Sequence, residues 1–408
     1  MAEVTNYIDR LVAELCPEGV EYRPLESLGK RNKGTAITAS KMRSLEPGNK
    51  DLRIFAAGST FVDTDSSNIP AKDILHGPAI IVKSRGYIGF EYYEKSFTHK
   101  NEMWSYTLDS NIVNQKFIYY YLLTQAYYLQ ELARSKSVKL PQLSVKDTDS
   151  LEVPVPPLEI QEAIVEILDK FTNLEAELEA ELEARTLQYE YYRDSLFEAL
   201  DCPRATLGEL GKFYGGLKGK TKNDFGSSGA RYISYKNVYE NISADFTWPD
   251  FVQVKEGENQ LSLMKGDILL TGSSENMEEA GLSSVVTKEP EEEAYLNSFS
   301  ICYRLNDPSI LNPEFSKYLF RSRLARKQII RTAQGVTRFN VSKKKLANVS
   351  VPIPTLEEQQ RIVDILDRFD ALTSSLSEGL PAELAARRSQ YEYYRDQLLT
   401  FPRKGENQ

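Results

Sequence analysis

Cysteine, histidine and tryptophan are scarce in this sequence of 408 residues, which contains three cysteines, two histidines and two tryptophans. The cysteines, Cys16, Cys202 and Cys302, are odd in number and far apart, and only His76 and His99 accompany them. The sequence therefore supports neither a disulfide framework nor a zinc site built from cysteine and histidine.

Long apolar runs are also missing. No run approaches the roughly 18 residues that a membrane-spanning helix needs, and the sequence does not open with a basic segment followed by an apolar one. We therefore expect a cytoplasmic protein. Apolar residues make up 41% of the chain and charged residues 27%, which is typical of folded domains and excludes wholesale disorder.

Motifs for catalysis are incomplete. Residues 215–221 read GGLKGKT, but Tyr214 occupies the position of the first glycine of a phosphate-binding loop. Residues 312–315 read NPEF, one residue away from the N-P-P-(Y/F) signature of amino-methyltransferases, and a helix start at Pro313 is the better interpretation. With no Ser/His/Asp or Cys/His set, the sequence does not predict an enzyme.

The net charge of −9 argues against a nucleic-acid partner, but the charge is unevenly distributed. Residues 25–152 and 201–350 each carry a net charge of +3, whereas residues 153–200 carry −9 and residues 351–408 carry −3. Two mildly basic blocks, which suit a polyanion, thus alternate with acidic ones.

The chain repeats itself. Residues 153–169 read VPVPPLEIQEAIVEILD and residues 351–367 read VPIPTLEEQQRIVDILD, while QYEYYRD occurs identically at 188–194 and 390–396. The chain is therefore two tandem copies of a globular block followed by a helical block. The two globular blocks have diverged in sequence, which indicates that each has a different function. The two helical blocks have stayed similar, which indicates that both have the same function.

The helical blocks carry apolar residues at spacings of three and four, which predicts long amphipathic helices. An unbroken helix over residues 156–200 would run roughly 65–70 Å. Gly379 and Pro381 predict a kink or short break in the second copy, which also holds four extra residues. An ordinary coiled-coil dimerisation segment is the alternative interpretation.

Each globular block has short β-like runs punctuated by Gly, Asn and Asp and ends in one predicted helix, at 116–134 and 314–331. This pattern predicts an α+β fold with a curled sheet. The predicted segments are a first block with a short N-terminal helical segment (1–152), a central helical spacer (153–200), a second block (201–350) and a C-terminal helical region (351–408).

Basic residues cluster with aromatic and amide residues in both blocks. Lysine and arginine can contact phosphates, and arginine, asparagine and glutamine can read base edges. The candidate DNA-contacting residues are Lys33, Arg85, Tyr87, Asn101, Lys139 and Gln142 in the first block, and Lys218, Lys220, Asn237, Ser274, Gln334, Arg338 and Asn340 in the second.

With the repeated motifs VPxPxLExQ, IVxILD and YxYYRDxL at this spacing, nearly the whole chain resembles the specificity (S) subunit of type I restriction–modification systems. The resemblance implies two target-recognition domains separated by two long antiparallel, coiled-coil-like helical regions with pseudo-two-fold symmetry. It implies a non-catalytic reader of a bipartite, asymmetric DNA site. The partners would be two DNA adenine methyltransferase subunits and ATP-dependent restriction–translocase subunits, which would bind S-adenosylmethionine, ATP and Mg²⁺, so that this chain carries no cofactor.

The helices would set the length of the unread DNA spacer and dock the methyltransferase subunits. The residues expected at these docking surfaces are Leu158, Gln161, Tyr189, Tyr191, Leu356, Gln359, Tyr391 and Tyr393. Two other classes stay open at this point. One is a coiled-coil scaffold whose globular ends bind proteins, and the other is an RNA-binding module, because basic and aromatic loops also serve single strands.

Overall fold

The computed structural model describes residues 2–45, 50–137, 139–255, 257–373 and 379–405. The chain folds as two units, one comprising Met1–Glu177 with Leu384–Gln408 and the other Leu178–Glu383. Each unit contains one globular block together with helical residues from both copies of the repeat. The four sequence segments thus describe the repeat, whereas the units describe how the chain packs.

The first globular block and the helix that follows it contain short strands and mostly short helices. The helices are α1 (Ala2–Leu15), α2 (Ala39–Arg43), α3 (Gln115–Thr124), α4 (Ala126–Lys136), α5 (Val145–Asp149) and the long α6 (Leu158–Glu198). The strands are β1 (Tyr22–Pro24), β2 (Gly29–Lys33), β3 (Leu52–Phe55), β4 (Phe61–Thr64), β5 (Ala79–Lys83), β6 (Gly89–Tyr93), β7 (Phe97–His99), β8 (Trp104–Leu108) and β9 (Glu152–Pro154).

The second copy has a corresponding order of elements. Its helices are α7 (Leu207–Leu210), α8 (Tyr235–Glu240), α9 (Pro313–Leu319), α10 (Arg323–Ile330), α11 (Lys343–Leu346), α12 (Leu356–Thr373) and α13 (Leu380–Leu398). Its strands are β10 (Arg204–Thr206), β11 (Gly211–Gly215), β12 (Phe225–Gly226), β13 (Ala230–Ile233), β14 (Phe251–Val252), β15 (Ile268–Thr271), β16 (Ser273–Ser274), β17 (Ser283–Val285), β18 (Ala294–Leu296), β19 (Ser300–Leu305), β20 (Ala333–Gln334), β21 (Phe339–Val341) and β22 (Ser350–Pro352).

A four-stranded antiparallel sheet of order β2-β8-β5-β6 is the centre of the first block. Successive side chains of a strand point to opposite faces, and β5 is buried on both. Ile80 and Val82 pack into the core that α3 and α6 cover. Ala79 and Ile81 instead face Phe55 of the smaller sheet β4-β3-β7. This two-sided burial explains why β5 is a continuous apolar run.

The second block repeats this plan with different residues. Its main sheet has the order β11-β19-β15-β17, and Ile268 and Leu270 of β15 pack toward α9 and α12 while Leu269 packs with Ile233 on the other face. Each block also holds one parallel strand pair, β3 with β7 and β13 with β18. The α+β fold class predicted from the sequence is confirmed.

The helix predicted at the end of each block is in fact two helices, α3 and α4 in the first block and α9 and α10 in the second. In the second block, α9 ends at Leu319, and Ser322 caps the next helix, because its side chain accepts a hydrogen bond from the Ala325 amide. A serine side chain at this position hydrogen-bonds to the nearby backbone, and this bond competes with the backbone hydrogen bonds that would continue the helix. The single helices expected over 116–134 and 314–331 were therefore wrong in their continuity.

A buried glutamine fastens each helical block to its globular block. Gln161 of α6 accepts from the Asn114 amide over 2.7 Å and donates to the Pro156 carbonyl over 2.6 Å. Gln359 of α12 accepts from the Asn312 amide over 2.7 Å and donates to the Pro354 carbonyl over 2.9 Å. Both side chains are fully buried. The expectation that Gln161 and Gln359 dock a partner subunit therefore needs correction, because neither reaches the surface.

An aspartate about two helical turns beyond each glutamine makes a second anchor. Asp169 accepts from Lys116 Nζ over 2.8 Å and from the Tyr120 hydroxyl over 2.5 Å. Asp367 accepts from Lys317 Nζ over 3.0 Å and from the Tyr318 hydroxyl over 2.6 Å. Burial, followed by these hydrogen bonds, raises the pKa of Tyr120 and of Tyr318. The repeat thus preserves how each helix is attached as well as its sequence.

Within the first unit, α6 pairs with α13 in antiparallel fashion. Phe171 stacks on Tyr394 with ring centroids 5.8 Å apart, and Glu175, further along α6, bonds to Arg388, which lies earlier on α13. Within the second unit, Phe369 of α12 stacks on Tyr192 of α6 at 5.5 Å. These two ring pairs occupy equivalent positions of the repeat.

The expected interruption of the second helical region is present. The helix α12 ends at Thr373 and α13 begins at Leu380, and Gly379 has a φ of 85°. A left-handed φ of this kind suits glycine. In the part of the chain that the structure describes, no helix is both long and apolar enough to span a membrane.

The segment that follows α13 completes the first block. Val20 donates its amide to the Pro402 carbonyl over 2.8 Å and accepts from the Lys404 amide over 3.0 Å. Arg403 lies 4.1 Å above the Tyr22 ring and bonds to Glu152 over 2.6 Å. Residues 399–404 are therefore an integral part of the first unit.

Candidate nucleic-acid interface

Loops of the first block converge at one end of its main sheet. The last residue of β2, Lys33, pairs with the first residue of β8, Trp104, and the last residue of β5, Lys83, pairs with the first residue of β6, Gly89. Because neighbouring strands run antiparallel, the loops at these strand ends emerge side by side. We call residues 33–35, 84–88 and 99–103 the first loop edge.

Hydrogen bonds hold these loops to one another and to a segment that precedes α5. The Ser84 hydroxyl donates to the Glu102 carbonyl over 2.6 Å, and the Asn101 side-chain amide, oriented with its nitrogen toward residue 34, donates to the Gly34 carbonyl over 2.7 Å. Arg85 forms a backbone bridge with Gln142. The first loop edge and residues 139–142 therefore form one continuous surface.

This surface gathers all six candidates of the first block. Tyr87 is 77% exposed. The side chains of Lys33, Arg85, Asn101, Lys139 and Gln142 are exposed as well. Burial alone would raise the pKa of Glu102, but a hydrogen bond from Lys100 and the positive charges of Lys100 and Arg85 outweigh the effect of burial. The charge of Arg85 thus contributes to the lowered pKa of Glu102.

The second block has an equivalent edge. Gly215 at the end of β11 pairs with Ile301 near the start of β19, and Thr271 at the end of β15 pairs with Ser300. The loops that leave these strand ends contain Lys218, Phe299 and Ser273–Ser274. We call residues 216–218, 272–276 and 297–299 the second loop edge.

A hairpin stands beside the second loop edge. Strands β20 and β21 pair through Gln334 and Asn340, and β21 also pairs with β16 of the edge, where Ser273 lies opposite Asn340. Gly335 begins the turn with a φ of 148°, and an added Cβ there would lie 1.8 Å from the Arg338 carbonyl oxygen. The turn thus requires glycine, and it brings Gln334, Arg338 and Asn340 to the same edge.

Beside the hairpin lies a cavity of about 470 Å³, lined by Tyr235, Lys236, Ser274, Phe299 and Arg338 among others. The Tyr235 hydroxyl donates to the Ser273 carbonyl over 2.8 Å, so helix α8 is tied to the edge. Phe299 is 64% exposed. An open cavity with aromatic walls and basic side chains can accept the edge of a base.

Two lysine side chains lie near one another at this edge. Burial, with repulsion from Lys218 as the next cause, lowers the pKa of Lys343. The Lys343 ammonium lies 3.7 Å from the position that a Cβ on Gly215 would occupy. Gly215 is the last residue of β11, and Lys218 follows three residues later. Two ammonium groups that repel one another are stabilised by an anion bound between them.

Three candidates of the second block are placed differently from expectation. Lys220 donates to the Gln253 carbonyl and to Glu258, and its side chain is only 4% exposed. Asn237 is fully buried and holds both backbone groups of Asp245. DNA contact by Lys220 and Asn237 therefore needs correction, because internal partners use their polar atoms. Ser274 lines the cavity but is only 7% exposed.

The candidate docking residues separate into two groups. Tyr189 and Tyr391 pack against the cores of their units, where burial raises the pKa of each to about 12. Leu158 is half-buried. The exposed group consists of Tyr191 at 69%, Tyr393 at 58% and Leu356 at 57%. Tyr191 and Tyr393 occupy the same position of the two QYEYYRD motifs.

Three residues of the second edge are not predicted from the sequence: Phe299, Tyr235 and Lys343. Phe299 lies in the turn before β19. An aromatic residue between two serines after Asn297 was the available signal. Tyr235 and Lys343 gave no local signal, because only the fold brings α8 and α11 to the edge.

The described ranges contain no cluster of three or more His, Cys, Asp or Glu side chains arranged to hold a metal ion. The geometry found at both edges instead offers exposed hydrogen-bonding and cationic groups on loops that a sheet positions. Such an arrangement can contact a polyanion and the edges of its bases.

Comparison with known proteins gives a consistent result. Residues 17–184 and 204–386 each match the family described as the type I restriction modification DNA specificity domain. The chain is 34% identical over 335 residues to the type I restriction enzyme EcoR124I/EcoR124II specificity subunit of Escherichia coli, which covers 78% of either protein. It is 30% identical over 311 residues to a putative type I restriction enzyme specificity subunit of Haemophilus influenzae, covering 71% of this chain and 73% of that one.

Solved structures agree in fold. The S subunit of a type I restriction–modification system from M. genitalium superposes with a TM-score of 0.52 at 18% identity, over 93% of this chain and 96% of that one. A chain from a study of complex assembly and conformational transition of the type I R-M system superposes with a TM-score of 0.57 at 16% identity, over 93% and 97%.

Proposed function

The chain belongs to the type I restriction-modification DNA specificity family, and from this premise we propose that its two loop edges read the two halves of a bipartite DNA site. It is a DNA specificity subunit and not itself an enzyme. Neither the protein-binding scaffold nor the RNA-binding module is favoured over this function.

One observation carries the proposal. Each block presents an exposed arginine, an exposed amide and an exposed aromatic ring around an equivalent backbone bridge, Arg85–Gln142 in the first block and Ser273–Asn340 in the second. Arginine pairs well with guanine, and the amides of asparagine and glutamine with adenine, in the major groove. The side chains of the two edges differ, so the two half-sites differ in sequence.

The helices have a separate role in the proposal. Residues 153–200 carry a net charge of −9, which phosphates would repel, so α6 faces protein rather than DNA. Its 41 residues extend roughly 60 Å, and this length sets the unread spacer. Tyr191 and Tyr393, exposed at equivalent positions, dock two copies of one partner.

The partners follow from the family. The chain acts in a complex with other restriction–modification subunits. We assign the two equivalent helical surfaces to two DNA adenine methyltransferase subunits, and add ATP-dependent restriction–translocase subunits for cleavage. S-adenosylmethionine, ATP and Mg²⁺ then bind to those partners and not to this chain.

Mapping of N6-methyladenine tests the function directly. The chain is expressed with its methyltransferase subunit in a host free of other adenine methylation, and the same host with the methyltransferase subunit alone is the control. The expected result is one bipartite, asymmetric motif with methylated adenine in both halves, only when both genes are present. Methylation that is independent of this chain, or that lacks sequence preference, would contradict the proposal.

A competition experiment addresses the RNA alternative. The assembled complex should retain a labelled duplex that carries the motif when excess single-stranded or double-stranded RNA is added, and should lose it to the unlabelled duplex. Equal competition by RNA of unrelated sequence would favour an RNA-binding module.

A further inference from the structure

The hairpin beside the second loop edge presents an arginine at its turn. Gly335, Val336, Thr337 and Arg338 connect β20 to β21, and Val336 is 91% exposed. The paired strands on both sides hold the turn, because Gln334 pairs with Asn340 and Ser273 pairs with Asn340 from the other side. An exposed apolar and an exposed cationic side chain are thus carried on a stiff support.

The guanidinium of Arg338 is oriented by one internal hydrogen bond. Its Nε donates to the Ser273 hydroxyl over 3.3 Å, and the two terminal nitrogens form no hydrogen bond with the residues that the structure describes. Among the residues that the structure describes, no carboxylate forms an ion pair with Arg338. Arginine in this state has two parallel donors available for a bidentate acceptor.

The surroundings discriminate between a base and a phosphate as that acceptor. Lys218 and Lys343 provide the compact charges suited to a phosphate, at the end of β11. Arg338 instead lines the cavity with the Phe299 ring and the Tyr235 ring. A planar fork beside aromatic walls matches the edge of a base, and guanine offers two acceptors, O6 and N7, at the matching separation.

The first block lacks this residue at the equivalent place. At the repeat offset, Leu140 occupies the position of Arg338 and Gln142 that of Asn340. The arginine of the first edge, Arg85, is on the opposite strand of the equivalent bridge, where the second block has Ser273. The two edges therefore present their guanidinium groups from different sides.

We propose that Arg338 reads a guanine in the half-site recognised by the second block, donating from both terminal nitrogens to O6 and N7. Val336 and Phe299 flank the contact and exclude water from it. The proposal rests on the function proposed above and deepens it by assigning one residue to one base.

The first test is methylation mapping with Arg338→Ala and Arg338→Lys. Each variant should lose discrimination at one guanine of the second half-site by about 10- to 100-fold, since this is the range of one bidentate base contact, and should leave the first half-site unchanged. Lysine restores the charge without the fork, so Arg338→Lys distinguishes base reading from a phosphate contact. Arg85→Ala is the matched control, and it must leave the second half-site unchanged.

The main comparison of the second test uses the wild-type complex alone, so it does not depend on how the variants fold. The wild-type complex is bound to duplexes in which the assigned guanine is replaced by 7-deazaguanine, which lacks the N7 acceptor, or by inosine, which keeps O6 and N7. Binding should weaken about 10-fold with 7-deazaguanine and stay close to normal with inosine. The Arg338→Ala complex should no longer respond to 7-deazaguanine.

The outcomes separate this inference from the function on which it rests. If the wild-type complex produces no bipartite methylated motif, the proposed function fails. If the motif exists but its second half-site contains no guanine, or if 7-deazaguanine at every guanine of that half-site leaves binding unchanged, only the inference about Arg338 fails. A uniform loss of affinity in Arg338→Ala that Arg338→Lys restores, with the motif retained, would identify a phosphate contact instead.

Discussion

At the scale of single residues, the fold separates lysines that the sequence makes look equivalent. Lys218 and Lys220 lie two positions apart in a basic run, yet Lys218 is exposed at the second loop edge and Lys220 is buried against Glu258. The partner of Lys220 lies 38 positions away in the chain. Local composition carries no information about such a partner, so no reading of the run alone distinguishes the two.

This difference in exposure predicts that two alanine substitutions affect different properties, one DNA binding and the other stability. Lys218→Ala should weaken DNA binding for all sequences and reduce the magnitude of the salt slope, measured as log affinity against log salt, by about 1, since one phosphate contact is lost. Lys220→Ala should leave that slope unchanged and lower the unfolding temperature, because Glu258 and the Gln253 carbonyl lose the ammonium group that donates to both. Fluorescence anisotropy and calorimetry measure the two effects, and an exchange of phenotypes between the variants would refute the assignment.

The buried glutamines give a second residue-level prediction. Gln161→Leu leaves the Asn114 amide and the Pro156 carbonyl without their partner, so we expect the free energy of unfolding of the first unit to fall by about 2–3 kcal/mol. Glu162→Leu, at the neighbouring exposed position, is the matched control and should change it by about 0.5 kcal/mol or less. Denaturant unfolding measures both. Equal stability of the two variants would show that the anchor contributes nothing.

At the scale of elements, strands were more predictable than helix ends. The apolar runs of β5 and β15 identify them in the sequence, because burial on both faces requires such runs. The break between α9 and α10 was not predicted, since a serine inside an otherwise helical pattern becomes a cap only when tertiary packing turns the chain there. The break at Gly379 was predicted because glycine and proline act locally.

The length of α6 gives an element-level prediction. Inserting one further LEAE unit near Ala180 should lengthen the helix by roughly 6 Å and widen the unread spacer by nearly two base pairs, with both half-sites unchanged. Methylation mapping reads out spacer and half-sites together. Four residues turn the helix by about 40° beyond a full turn, whereas two turn it by about 200°, so a two-residue insertion should abolish modification. Altered half-sites with an unaltered spacer would contradict the role of α6.

The packing of α6 against α13 predicts a dependence on alkaline pH. The pKa of Tyr391, raised by burial to about 12, exceeds the usual value of about 10, so folding favours the neutral phenol. The resulting stabilisation is fully present below pH 10 and is lost as the pH rises from 10 to 12. Urea unfolding should therefore show a smaller loss over this range in Tyr391→Phe than in the wild type, while Tyr393→Phe should follow the wild type. Identical pH profiles for all three proteins would count against this packing.

At the scale of the whole molecule, the repeat was the most informative feature of the sequence. It predicted two blocks and two helical regions, because duplicated sequence folds into duplicated structure. It did not predict that each unit combines helical residues from both copies. This combination of helical residues from both copies depends on contacts between positions such as Phe171 and Tyr394. These positions are remote in sequence, and no local pattern indicates that they are in contact. The edges were predicted in part, since Arg85 and Arg338 were found but Phe299 and Lys343 were not.

The participation of residues 399–404 in the first unit has a consequence for biosynthesis. Residues 1–177 leave the ribosome early. The backbone groups of Pro402 and Lys404 that bond to Val20, and the apolar side chains of Leu399 and Phe401, follow only after residues 178–383. At about 5–20 residues per second, this interval lasts roughly 10–40 seconds. The first unit is thus translated first but completes its fold last. Until residues 399–404 are available, the apolar surface that they cover stays exposed and can bind chaperones. Nascent chains stalled after residue 383 should accordingly be cleaved by protease within residues 1–177, and chains extended past residue 404 and clear of the ribosomal tunnel should resist it.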